Sequence, residues 1–191
     1  MIQNKRLLLA FSFACLGLAA QQVDEPRYTT DNRLILPGNY REWIFLTSGL
    51  GMSYGLVDAA ASKLLGQSFD NVFVSPQAYK SFLQTGTWPD KTIFVKEVRT
   101  SATKGSMNKG GHYQEGIMTI EAHVKDQARF PDRGEFFVFG SAETAKPLGP
   151  KSGCIACHSQ HGAVDGTFVQ FYPTLISVAK AKGTMKQQGG K

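Results

Sequence analysis

The clearest alternation of apolar and polar residues runs from Met118 to Asp126. Met118, Ile120, Ala122 and Val124 fall on one face, and Thr119, Glu121, His123 and Lys125 on the other. A period of two over this length predicts a half-buried β-strand. TIFVKEVR (92–99), EFFVFG (135–140) and NVFV (71–74) are rich in β-branched and aromatic residues and predict three more strands. Ser75 followed by Pro76 predicts a helix start, with Ala78, Tyr79, Phe82 and Leu83 along the helix and Gly86 and Pro89 at its end. Residues 37–66 read as mixed: Tyr40 to Leu46 suits a helix start or a strand, and Gly49, Gly51 and Gly55 break the pattern beyond it. The polar, glycine-rich stretch 100–115 predicts a loop, and Thr174 to Lys182 a short helix. The expectation is an α+β fold, mainly an antiparallel sheet with flanking helices, in a single domain without internal repeats.

The N-terminus changes the picture of where the chain works. Lys5-Arg6 precedes an uncharged apolar run, residues 7–20, that closes on Ala19-Ala20. A positive start, a short apolar run and a small-residue exit describe a secretory signal peptide, too short to span a membrane. The expected layout is a signal peptide over 1–20, an N-terminal extension over 21–37, the main domain over 38–180 and a basic flexible tail over 181–191. Removing the leader would leave 171 residues (191 less 20), one ordinary domain. It would also take Lys5, Arg6 and Cys15, leaving 19 basic against 15 acidic residues. That mild charge and the expected export to the periplasm argue against a nucleic-acid partner.

Two cysteines then remain, in the stretch KSGCIACHSQHG: Cys154, Cys157 and His158 form C-x-x-C-H. A pair three residues apart cannot tie distant segments together, so its job is local. Three readings compete. Zinc needs four ligands, usually paired; Cys154, Cys157 and His161 could make three, but no second cysteine pair exists and His112 and His123 lie far off in sequence. A redox dithiol wants a βαβ setting, whereas this pair comes after the loop Ala145 to Pro150. Covalent attachment of haem is the reading that C-x-x-C-H favours. Two thiols one helical turn apart would add to the two vinyl groups, with His158 held beneath the ring as axial ligand of the iron. One motif implies one haem c. Only 33 residues (191 less 158) come after His158, and their one methionine, Met185, lies in the polar tail. The sixth iron position is therefore expected to be open or held by water.

These features together resemble the cytochrome P-460 family, including cytochrome c′-beta. The resemblance rests on Tyr40-Arg41-Glu42-Trp43, on Trp88-Pro89-Asp90 leading into a strand with Val95-Lys96-Glu97, on Val124-Lys125-Asp126, and on C-x-x-C-H with Asp165 and Phe168 to Pro173 beyond it. It covers roughly residues 38–178. It implies a mainly antiparallel fold holding one five-coordinate c-type haem in the periplasm. It also implies one of two activities: oxidation of hydroxylamine, with a lysine joined to the porphyrin edge, or binding of nitric oxide behind phenylalanines without that link. A simple electron-transfer cytochrome is the remaining alternative.

Lys96 bears on that division. It shares a strand face with Phe94 and Val98, an apolar setting in which an unpaired ammonium is costly. Two readings stay open: a side chain snorkelling at the sheet edge, or a lysine at the haem edge, cross-linked to it. Lys125 and His123, on the polar face of their strand, are expected in solvent, and His112 in a surface loop. His161 is expected near the attachment loop. Glu97, Glu115 and Glu143 are undifferentiated candidates for proton transfer. Phe45, Phe73, Phe94, Phe136, Phe137 and Phe139 could line a haem cavity or simply fill the core. Expected partners are a small-molecule ligand such as hydroxylamine or nitric oxide and a redox partner protein, with a homodimer left open.

Overall fold

The computed structural model describes residues 24–52, 67–131 and 134–186. The expected signal peptide, Gly55 and residues 187–191 of the tail lie outside these. Five strands form an antiparallel meander in chain order: β3 (Ile44–Leu50), β4 (Ser68–Val74), β5 (Thr92–Ala102), β6 (Tyr113–Lys125) and β7 (Glu135–Val138). Two short strands at the N-terminal side, β1 (Arg27–Tyr28) and β2 (Leu34–Ile35), pair with β8 (Thr144–Ala145) in a second, three-stranded sheet. Among the described residues there are also three α-helices, α1 (Pro76–Thr85), α2 (Gly153–His161) and α3 (Ile176–Ala181), and 3-10 turns at Tyr40–Glu42 and Val169–Phe171. The architecture is α+β, with antiparallel sheets and flanking helices.

The ambiguous Tyr40 to Leu46 resolves into a 3-10 turn, Tyr40–Glu42, running into β3. The expected loop 100–115 is shorter than its composition predicts, because β5 and β6 continue into it as a long hairpin paired to Ala102↔Tyr113. Ser75 sits at the start of α1 but its side chain makes no capping hydrogen bond; Pro76 supplies the fixed φ of the first turn, and Gly86 closes the helix at φ 76°.

The main sheet has a core on each face. Ile93, Val95, Ala122, Val124 and Phe137 point to one side, onto Leu34, Tyr40, Trp43 and Ala145. So residues 24–36, ahead of the expected haem domain, cover this core. Val74 and Phe94 point to the other side, where α1, Trp88 and the C-terminal segment supply Phe82, Val164, Val169, Leu175 and Ala179. The start of the expected tail belongs to this second core: Met185 packs against it, Thr184 Oγ1 donates to Gly86 O (2.7 Å), and Lys186 N donates to Ala163 O (2.8 Å).

Candidate haem-binding site

Cys154, Cys157 and His158 lie on α2 at spacings of three and four, which puts them on one helix face. Ser152 caps this helix, its Oγ accepting from Ile155 N (3.4 Å). The turn after the helix fixes the histidine. Val164, Asp165, Gly166 and Thr167 make a two-residue hairpin in which Asp165 (φ 47°) and Gly166 (φ 67°) both take left-handed backbone. That is the geometry Asp-Gly favours. The hairpin aims Gly166 O at His158, which holds it through Nδ1 at 2.7 Å. A carbonyl can only accept, so Nδ1 carries the proton and Nε2 is left with its lone pair, as a metal-ligating imidazole requires. Burial lowers the imidazole pKa, opposed by this bond, and so favours the neutral ring.

Trp88 anchors the hairpin. Its backbone N–H donates to Asp165 Oδ2 (2.9 Å) and its indole N–H to Thr167 Oγ1 (2.9 Å). Lys125 Nζ donates to Trp88 O (2.5 Å) and to Asp165 Oδ2 (3.1 Å). Lys125 is therefore a brace rather than the solvated lysine its strand pattern predicts.

The face of the main sheet opposite α2 completes a cavity of about 320 Å³. Strand register sets its wall. Lys96 opposes Val72 on β4 and Glu121 on β6; Phe94 opposes His123, which opposes Phe136 on β7. All six face the cavity together with Cys154, Cys157 and His158. Lys96 Nζ lies 2.9 Å from Glu121 Oε2. Each of these side chains is about one-third exposed, so the pair adds little stability, at most about 1 kcal/mol. Asp70, one step along β4, also lines the cavity and is buried.

His123 is not solvated as its alternating strand predicts. It stacks on Phe136 (4.2 Å between centroids, 9° between planes) and on Phe94 (5.7 Å, 22°), with its edge toward His158 (5.3 Å). Burial, and then the nearby His158, push its pKa down to about 3, so it is neutral. A Cβ at Gly134 would collide with its imidazole, which makes that glycine part of the stack. Phe136 and Phe168 pack on His158 at 4.6 and 4.3 Å. The alternation of β6 failed as a guide because the face that looks polar borders a cavity, while the true core lies behind it.

Of the other candidates, Glu97 faces the opposite core, where Tyr40 donates to it and Arg41 and Arg99 pair with it. His112 holds Ser101 Oγ at 2.8 Å in the exposed hairpin, and Glu115 is exposed there too. Glu143 and His161 are exposed. Phe45, Phe73, Phe137 and Phe139 do not line the cavity; Phe94, Phe136, Phe168 and Phe171 do. Sequence reasoning missed Asp70 and Glu121 as cavity residues. The pairing of Lys96 with Glu121 could have been found by folding TIFVKEVR against residues 118–126 as a hairpin.

The residues present fit a c-type haem. Two free thiols and an imidazole with an outward Nε2 share one wall of an apolar cavity, and ring side chains flank the ligand. Burial, and then the charge of Glu121, raise the Cys154 thiol pKa and keep it protonated. Among the described residues no cluster of three or more His, Cys, Asp or Glu side chains could hold a free metal ion. Among curated proteins, no significant match to this chain is found. The family model for Cytochrome P460 matches residues 37–169, from the turn before β3 through α2 and its hairpin. That span contains the whole meander, the cavity wall and the C-x-x-C-H helix, and the chain belongs to the cytochrome P460 family of haem proteins.

Proposed function

We propose that this chain is an exported, periplasmic mono-haem c-type cytochrome that binds and oxidises a small nitrogen compound, hydroxylamine, and passes the electrons to a redox partner protein. Cys154 and Cys157 would hold the haem through thioethers and His158 would ligate its iron. When bound, the haem supplies an iron centre that takes a small ligand and accepts its electrons. The observation that carries the enzymatic reading is the Lys96–Glu121 pair on the cavity wall, 2.9 Å apart and facing Cys154 and His158. In this reading Glu121 would take a proton released inside the cavity, and Lys96 would be the lysine that reaches the porphyrin edge. Phe136 and Phe168 pack on His158, and Phe94 stacks on His123 beside it.

Denatured protein from a host with haem-attachment machinery should stay coloured and carry the added mass of one haem; loss of colour on denaturation would overturn the attachment. Intact mass and visible spectrum of the protein beside Lys96→Ala test the lysine. A cross-link predicts an unusual, red-shifted spectrum that the substitution returns to an ordinary c-type one. Coincident spectra, with no consumption of hydroxylamine, would favour the second reading, a nitric oxide-binding protein, which the four phenylalanines on the cavity wall support. Met52 lines the same wall. A mostly high-spin ferric spectrum is expected; a low-spin spectrum in both oxidation states, lost in Met52→Ala, would instead indicate an electron carrier.

A further inference from the structure

We propose that Asp70 is the hydrogen-bond acceptor that selects this cavity's ligand, favouring small molecules with N–H or O–H donors over those with none. The inference rests on the haem reading of the cavity. Asp70 sits on β4 between Gly49 of β3 and Val98 of β5, with its side chain on the cavity face. It is only 8 % exposed, and it lines the cavity. A carboxyl so nearly buried is costly to ionise and needs a reason.

The other charged groups on the wall are occupied with each other, since Lys96 and Glu121 form their own pair. β3 brings Thr47 and Gly49 to this part of the wall, with Met52 packed over Gly49, and α2 brings Cys154. None of those carries a charge that would neutralise Asp70. Burial raises the Asp70 pKa; Lys96 opposes this and Glu121 reinforces it. The result is a carboxyl held in a poorly solvating place with its lone pairs toward the cavity. A bound ligand with an N–H or O–H can complete it. Nitric oxide and carbon monoxide carry no hydrogen and gain nothing from it.

The test uses holoprotein, anaerobic and without an electron acceptor, titrated in the ferric state with hydroxylamine and separately with nitric oxide. Asp70→Leu should weaken hydroxylamine roughly ten- to hundredfold, the cost of a hydrogen bond to a charged group, and leave nitric oxide within about twofold. Asp70→Asn keeps one acceptor oxygen and should lose less. Infrared difference spectra on adding hydroxylamine should show a carboxyl band in the wild type that is missing in Asp70→Asn, which serves if the leucine variant does not fold. Affinities for both ligands moving together, neither moving, or an unchanged infrared band would each overturn the proposal. Wild-type protein without covalent haem would overturn the reading it rests on as well.

Discussion

Asp70 and Glu97 are buried carboxylates on adjacent strands, facing opposite sides of one sheet, and they stand in opposite situations. Burial works against the charge of Glu97, but hydrogen bonds from Tyr40, Arg99 and Arg41 outweigh it and hold the group below the usual glutamate range. A folded-state pKa below the unfolded one contributes stability that is present above the unfolded value and lost as pH falls through the folded value. Glu97→Gln should therefore cost about 2 kcal/mol at pH 7, and its loss of stability below about pH 4.5 should be shallower than that of the wild type. Urea titrations at a series of pH values check both. Asp70 has the reverse sign. Its raised pKa means that folding opposes its ionisation, and stability falls as pH rises from the unfolded toward the folded value. Asp70→Asn is expected to raise the unfolding midpoint at pH 7 while weakening donor-bearing ligands, a trade of stability for binding.

At the scale of elements, the histidine is positioned by the hairpin beyond the motif helix as much as by the helix itself. Gly166 holds φ 67° in that hairpin, which offers its carbonyl to His158. Gly166→Ala should cost about 1–2 kcal/mol from the left-handed penalty and broaden the ferric spectrum by loosening His158; denaturation and absorbance together check it. Phe82 of α1, fully buried with its ring centroid 4.2 Å from that of Trp88 at a 39° tilt, supports the same hairpin through Trp88. Phe82→Ala should cost about 3–4 kcal/mol, read by chemical denaturation. Much of this was legible. Pro76 and Gly86 mark α1, the β-branched run marks β5, and Asp165-Gly166 is a turn by its own chemistry. The character of the β6 faces was not. Alternation tells which residues share a side, but not whether that side meets water or a cofactor cavity. Asp70 was hidden for a related reason, since only the pairing of three strands puts it beside Lys96 and Glu121.

Across the whole molecule, the two faces of the sheet divide the work. The core around Val95, Val124 and Phe137 involves none of the cavity residues except Ala122. A Cys154→Ser/Cys157→Ser double variant, unable to form thioethers, is thus expected to keep the far-UV circular dichroism of the sheet while its thermal midpoint drops. Loss of the sheet signal itself would show that the two faces do not fold independently of the haem. The strand order carries a further consequence, in time rather than in space. Each strand from β3 to β7 pairs with its neighbour in sequence, so the sheet can assemble in chain order, most cheaply at the β5–β6 and β6–β7 closures and at more loop entropy where residues 51–67 and 75–91 intervene. The motif helix comes after all of them, and it buries no residue fully. His158 ties it to Gly166 and packs on Phe136 and Phe168, while Cys154 and Cys157 stay partly exposed; on the proposed haem reading, those thiols would meet the haem after the receiving wall has formed.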